Sequence, residues 1–247
     1  MPALPKLSKV TRHYLRDFSF RLAVFLFVAV LFLLSPEWLD FTAEDPKFVP
    51  LLLLWVAVAG SMVAQLNPNS LLTTGCLKQY PTRYDPVDHY NPEDLRQAVK
   101  VQNRGALKVA VVWLAVNLCF GILYHRGVLS VPVLVLLCAL CYLCDLICVL
   151  FFCPFQTFLM KNRCCVNCRI FAWGSWMMAA PLMCVPHWYV QSLFWIGVVV
   201  LIFWEVRYRR HPERFWFGSN KLLQCAHCPE QLCRYKYPRS PRFRKPM

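Results

Sequence analysis

The sequence predicts an all-α integral membrane protein, a bundle of six transmembrane helices with both termini in the cytoplasm. Three observations lead to this fold class. Of the 247 residues, 58% are hydrophobic and only 16% are charged, whereas soluble domains carry about 25% charged residues. Six apolar stretches interrupt the polar sequence, and Lys and Arg concentrate in alternate connections between them. This alternation is typical of the positive-inside rule.

The six apolar stretches approach the ~20 residues that a helix needs to cross the hydrocarbon core. The first is short, and the fifth is the weakest and is also compatible with a re-entrant segment. We interpret the fifth as a span because Arg169 closes the polar segment before it and Pro186-His187 provides a turn into the sixth. The expected transmembrane domain covers 20–206, with spans at 20–35, 48–66, 106–124, 131–152, 171–185 and 188–206.

Basic residues predict the orientation of the bundle. The proposed outer side carries only Lys47 and Arg126, and almost all other Lys and Arg residues lie in the termini and the inner connections. Both termini are therefore expected in the cytoplasm, with the plasma membrane as the site of insertion. The cytoplasmic parts would be a basic N-terminus (1–19), a loop (67–105), a Cys-containing segment (207–233) and a disordered basic tail (234–247) near anionic lipid.

The cytoplasmic loop contains a helix start. Asn91 is suited to capping, Pro92 to the first helical position, and Glu93 and Asp94 to the positive end of the helix dipole. We predict that this helix continues through Arg104 into the third span.

Two Cys-x-x-Cys knuckles form the main candidate site. They are separated by 56 residues, and the fifth and sixth spans between them would return the chain to the same membrane face. Two such knuckles complete a four-sulfur shell around one tetrahedral ion. The predicted ligands are Cys165, Cys168, Cys225 and Cys228, with Cys164 and Cys233 as alternates.

The metal at this site would be zinc or iron, since tetrahedral sulfur ligation suits both ions. An iron–sulfur cluster is the less favoured version, and unrelated thiols on a reducing face are the alternative to any metal. The arrangement resembles zinc ribbons and rubredoxin in spacing only, and it identifies no family.

The fourth span contains a second set of thiols. Cys138, Cys141, Cys144 and Cys148 copy the spacing of a ferredoxin cluster motif, but in a continuous helix their sulfurs would not converge. Cys138, Cys141, Asp145 and Cys148 instead share one helix face, either as small packing residues or as a thiol ladder towards the knuckles. Asp145 is an intramembrane candidate that could pair with a cation from another helix, bind an ion or stay protonated.

Three functions are compatible with these features. The first is a membrane redox component in which iron at the knuckles exchanges electrons with a cytoplasmic protein partner, while the helices anchor the site or contact a quinone. The second is a scaffold clamped by zinc, and the third is a relay for soft metals or thiols. No haem is expected, because His125 and His187 lie at the outer ends of the spans. The basic tail indicates lipid contact and no nucleic acid, and Glu205 is interpreted as an ordinary interfacial residue.

Overall fold

The computed structural model describes residues 9–40, 49–68, 79–162, 164 and 167–228. Within these ranges the all-α prediction is confirmed, and the only sheet-like pairing is an isolated bridge between Pro86 and Asn220. The helices are α1 (Lys9–Leu34), α2 (Val49–Ala64), α3 (Pro92–His125), α4 (Val131–Leu150), α5 (Gly174–Ala179) and α6 (Trp188–Arg210).

Four of the described helices are long and apolar enough to cross a membrane. They are the stretch Thr11–Leu34 within α1 and the complete helices α3, α4 and α6. A shorter apolar helix, Leu52–Ala64, lies within α2. Four of the six expected spans are therefore helices long and apolar enough to cross a membrane, and the remaining two are shorter elements.

The outward face of α3 shows why the bundle needs lipid. Five large apolar side chains at helical spacing along this face are each more than half exposed: Leu107, Val111, Leu114, Leu118 and Ile122. A contiguous apolar surface of this kind is rare on soluble monomers. In a bilayer the same side chains contact lipid without cost, which indicates that the protein is embedded in a membrane.

Helix α1 begins earlier than its apolar run predicts. The expected span starts at residue 20, whereas the helix starts at Lys9. Polar side chains extend it by local bonds, since Ser19 donates to the Leu15 carbonyl at 3.0 Å and Arg21 pairs with Asp17 at 3.3 Å. The described part of the predicted N-terminal segment is therefore helical, because hydropathy marks where a helix enters lipid and not where it begins.

The start of α3 confirms the capping prediction. The Asn91 side chain accepts a hydrogen bond from the Glu93 backbone N–H at 3.0 Å, and Pro92 is the first helical residue. The helix then continues without interruption for 34 residues. At 1.5 Å per residue its length is about 51 Å, which exceeds the ~30 Å hydrocarbon core. Part of α3 must therefore stand outside the membrane.

The fifth predicted span is a chain of short helical turns buried inside the bundle. Residues 169–185 contain α5 with 3-10 turns on both sides. Ile170 shares an apolar cluster with Val109 of α3, and Cys184 lies close to Gly121 of the same helix. From Val109 to Gly121, α3 rises about 18 Å. The segment thus runs along α3 in the same direction over most of the hydrocarbon thickness.

Two polar segments meet at the end of the bundle where α3 begins and α6 ends, which we call the basic end. We define the polar cap as residues 79–91 together with 211–227. The Val87 N–H donates to the Ser219 carbonyl at 3.0 Å, and the Lys221 N–H donates to the Asp85 carbonyl at 2.8 Å. The segment after α6 is therefore folded back onto the loop before α3.

Candidate functional site

The structure brings the segments that carry the two knuckles together at the basic end. The Asn167 side chain, next to Cys168, donates a hydrogen bond at 3.1 Å to the carbonyl of Leu223, two residues before Cys225. Cys168 is buried, Cys225 is exposed and Cys228 is half-buried. This hydrogen bond between Asn167 and Leu223 agrees with the expectation that both knuckle segments lie at one end of the bundle.

The proposed ligand shell is only partly within the described residues. Cys165 and the alternate Cys233 lie outside them, and Cys164 is half-buried beside the first knuckle. Among the described residues, no group of three or more His, Cys, Asp or Glu side chains converges on one point. The thiol donors are of the type that zinc and iron prefer. Because the described residues do not show these sulfurs together, the four-thiolate site stays a prediction.

The polar cap holds the second knuckle segment in place. The Tyr84 hydroxyl donates to the Ser219 carbonyl at 3.3 Å, and the Asn220 side chain donates to the Arg214 carbonyl at 3.0 Å. Burial raises the pKa of Tyr84, and the neighbouring Tyr90 adds to the shift. Tyr84 therefore stays a neutral donor at physiological pH.

A buried ion pair lies directly beside the first knuckle. Arg169, the residue after Cys168, pairs with Glu205 of α6 through two hydrogen bonds of 2.6 and 2.7 Å. The Arg169 side chain is only 8% exposed. Trp173 donates its indole N–H to the same carboxylate at 2.9 Å. The interpretation of Glu205 as an ordinary interfacial residue is therefore wrong, because it anchors the first knuckle to α6.

Two further contacts fix the guanidinium of Arg169. Its Nε donates to Asn103 of α3 at 3.0 Å, and its Cζ lies over the Tyr208 ring, 3.9 Å from the ring centroid. Stacking on an aromatic ring together with a two-pronged carboxylate contact is the geometry for which Arg is suited. Arg169 thus joins α3, α6 and the knuckle segment in one contact network.

Asp145 of α4 is paired with a cation from another helix, which was one of the predicted outcomes. Arg21 of α1 donates to its carboxylate at 2.7 Å and to the Tyr142 carbonyl at 3.0 Å. The Arg21 guanidinium also lies 4.4 Å from the Tyr142 ring centroid. The carboxylate fits closely against Gly174 of α5, where an added Cβ would lie 2.6 Å from Asp145 Oδ1.

A cavity of about 340 Å³ opens between α4, α5 and the turn after α4. Its walls are mainly apolar, and it collects most of the thiols that the sequence analysis singled out on α4. Cys138 is the exception, since it packs against the apolar core instead. The sulfur-bearing residues of the lining are Cys141, Cys144, Cys148, Cys153, Cys168, Met177 and Met178. Cys168 therefore belongs both to the first knuckle and to the cavity wall.

One pair of thiols in this cavity lies where α4 ends. Cys148, in the last turn of α4, and Cys153, in the turn that follows, both line the cavity and are close enough to interact. The backbone N–H of Gln156 also donates to the Cys153 sulfur at 3.3 Å. Their five-residue separation across a helix end is the only sign of this pair in the sequence, because Cys148 lies in α4 and Cys153 lies beyond its last residue.

No family model, curated protein or solved structure matches the chain.

Proposed function

We propose that this protein is a membrane redox component with a four-thiolate iron site at its cytoplasmic face and a thiol-lined cavity inside the membrane domain. The observation that carries the proposal is the double position of Cys168, which lies in the first knuckle and also in the cavity wall. Electrons would pass between a cytoplasmic protein partner and the cavity through this one point of contact.

Cys165, Cys168, Cys225 and Cys228 would hold the metal. Iron in a shell of four thiolates supplies one-electron chemistry. The hydrogen bond from Asn167 to Leu223 supports this ligand set, because it leaves only Gln224 between the bridged carbonyl and the second knuckle. The exposed Cys225 turn is free of the packed core, so it can close onto the buried Cys168.

The residues around the first knuckle have a positioning role in this proposal. Arg169 follows Cys168 directly, and its two hydrogen bonds to Glu205 hold the backbone of the knuckle against α6. Trp173 covers the same carboxylate. Because these contacts are buried, they would keep Cys168 at a constant place relative to the cavity.

We also infer that the chain crosses the plasma membrane six times, with both termini in the cytoplasm. The course of residues 169–185 along α3 supports the fifth crossing, because the segment extends about 18 Å in the direction of that helix. The clustering of Lys and Arg at the basic end supports the orientation.

A scaffold clamped by zinc is the second candidate. The docking of the polar cap favours it, since Lys221 and Ser219 are already tied by backbone hydrogen bonds to the loop before α3. In that case the metal would fasten the same segment and carry no electrons.

A relay for soft metals is the third candidate, and the sulfur lining of the cavity favours it. Asp145 would contribute little to such a relay as a ligand, because its carboxylate is already held by Arg21 at 2.7 Å. A relay would therefore depend on the thiols alone.

Metal analysis of the purified full-length chain, together with its visible spectrum, tests the proposal. We expect one iron per chain with thiolate-to-iron absorption, and loss of both in the Cys225→Ser/Cys228→Ser variant. Cys119→Ser, an exposed position on α3, is the matched control and should keep the iron. Stoichiometric zinc without colour would refute the redox function. If the double variant then unfolds more readily and the control does not, the zinc-clamped scaffold is supported.

A further inference from the structure

We propose that the cavity is a binding site for a membrane quinone, and that Cys148 and Cys153 form a dithiol that transfers two electrons to it. This inference rests on the redox function proposed above and names the class of its intramembrane substrate. Its own support comes from the thiol pair, the shape and lining of the cavity, and the charges around it.

The thiol pair is arranged asymmetrically. Cys153 receives one hydrogen bond from the Gln156 backbone N–H at 3.3 Å, and Cys148 lies beside it in the cavity wall, within α4. Hydrogen bonds to a sulfur favour its negative form, and the thiolate is the reactive form of cysteine. Cys153 is therefore suited to give up electrons first, and Cys148, its neighbour in the cavity wall, is suited to complete a disulfide.

The cavity fits a neutral, flat and lipid-soluble molecule. Its volume of about 340 Å³ lies at the lower end of the range for small-molecule sites. Trp113 and Phe155 contribute an edge-to-face aromatic pair at 5.9 Å to the wall. Leu140 and Phe152, also part of the lining, are 40% and 47% exposed. The cavity thus reaches the apolar outer surface of the bundle, where a quinone could enter from lipid.

The electrostatics of the cavity disfavour a charged ligand. Asp145 is the only carboxylate in the described lining, and Arg21 already neutralises it at 2.7 Å. A free ion in such an apolar site would carry a large desolvation cost. The indole N–H of Trp113 is buried and has no acceptor among the described residues. A quinone carbonyl could accept this hydrogen bond and brings no charge.

The proposed step keeps the site neutral. The two S–H bonds of Cys148 and Cys153 break and one S–S bond forms, which releases two electrons and two protons. The quinone takes up both, and its two carbonyl oxygens become the hydroxyls of a hydroquinone. A small dithiol puts both cysteines in the thiol form before the quinone is added.

A single-turnover reaction of the full-length protein in nanodiscs tests the inference. The protein is reduced with dithiothreitol, desalted and mixed anaerobically with decylubiquinone, whose fully substituted ring leaves no carbon open for thiol addition. We expect one hydroquinone per chain, measured by its ultraviolet spectrum. Peptide mass spectrometry should find one new disulfide, between Cys148 and Cys153.

Three variants locate the reaction. Cys148→Ser and Cys153→Ala should each lose at least tenfold in hydroquinone yield, whereas Cys184→Ser, near the opposite end of the bundle, should react normally. Trp113→Phe should keep the dithiol but require about fivefold more quinone, the effect of one neutral hydrogen bond. Near-ultraviolet circular dichroism of each variant confirms that it is folded.

Hydroquinone formation that persists in both folded cysteine variants would overturn the inference, and so would a disulfide at other positions. If the reduced protein ignores the quinone but binds one Ag(I) per chain through Cys148 and Cys153, the pair is a soft-metal site instead. Failure here is separable from failure of the four-thiolate iron site, because iron content and its absorption are measured without quinone. The Cys225→Ser/Cys228→Ser variant lacks the second knuckle but should still form one hydroquinone per chain.

Discussion

The Arg169–Glu205 pair offers a direct test of how the first knuckle is held in place. We expect Arg169→Met to destabilise the protein by about 3 kcal/mol, because breaking a buried ion pair costs about 3–5 kcal/mol. The low end applies because the Glu205 side chain is 22% exposed and keeps its hydrogen bond from Trp173. The measurement is the free energy of unfolding in mixed micelles of dodecylmaltoside and sodium dodecyl sulfate.

The chain contains a matched control for this experiment. Arg96 pairs with Glu93 at the same N–O distance of 2.6 Å, but these side chains are 71% and 64% exposed. Exposed pairs contribute about 0–1 kcal/mol, so Arg96→Met should leave the free energy of unfolding almost unchanged. The double variant Arg169→Met/Glu205→Gln should recover at least about 1 kcal/mol relative to the single variant, because no uncompensated carboxylate is left buried. Equal losses from Arg169→Met and Arg96→Met would refute the reasoning.

Three further predictions follow from close contacts. Gly174→Ala should lower the free energy of unfolding by about 1–3 kcal/mol. The added Cβ would overpack the site, since it would lie 2.6 Å from Asp145 Oδ1. Gly60→Ala should be neutral or stabilising in the same unfolding assay, because nothing lies within 4 Å of its added Cβ; a similar loss at both sites would contradict the argument. Gly197→Ala should reduce the yield of folded protein, because its Cβ would meet the backbone of Ser175 and Trp176 at 3.0 Å; normal yield and unfolding would show that α5 and α6 can separate. Asn167→Ala removes the hydrogen bond to Leu223 and should speed trypsin cleavage after Lys221 several-fold, whereas Asn103→Ala should not; unchanged cleavage would show that this bond does not hold the second knuckle segment.

The features that sequence analysis predicted correctly depend on neighbouring residues. The start of α3 is an example, because the Asn91 cap, Pro92 and the acids of the first turn act within four residues of one another. The long apolar spans are another, since their insertion depends on summed hydropathy along one segment. These signals need no knowledge of how the helices pack.

The fifth predicted span has a weak hydropathy signal for a physical reason. Its residues are enclosed by α3, α4 and α6, so they were selected for close packing and not for contact with lipid. Gly174 and Ser175 allow this packing, and both lower the hydropathy of the segment. The early start of α1 was missed for a related reason, because the residues before residue 20 are polar but still helical.

The membrane class, the long helices, the cap of α3 and the residue types that could bind a metal all follow from the amino-acid sequence alone. The tertiary structure decided which side chains meet. Glu205 contacts Arg169 across 36 positions and Asp145 contacts Arg21 across 124. Such pairs depend on how each helix is rotated and shifted along its neighbours, and this relation is absent from the periodicity of any one helix. For the same reason, only the structure joins Cys168, Cys148 and Cys153 in one cavity.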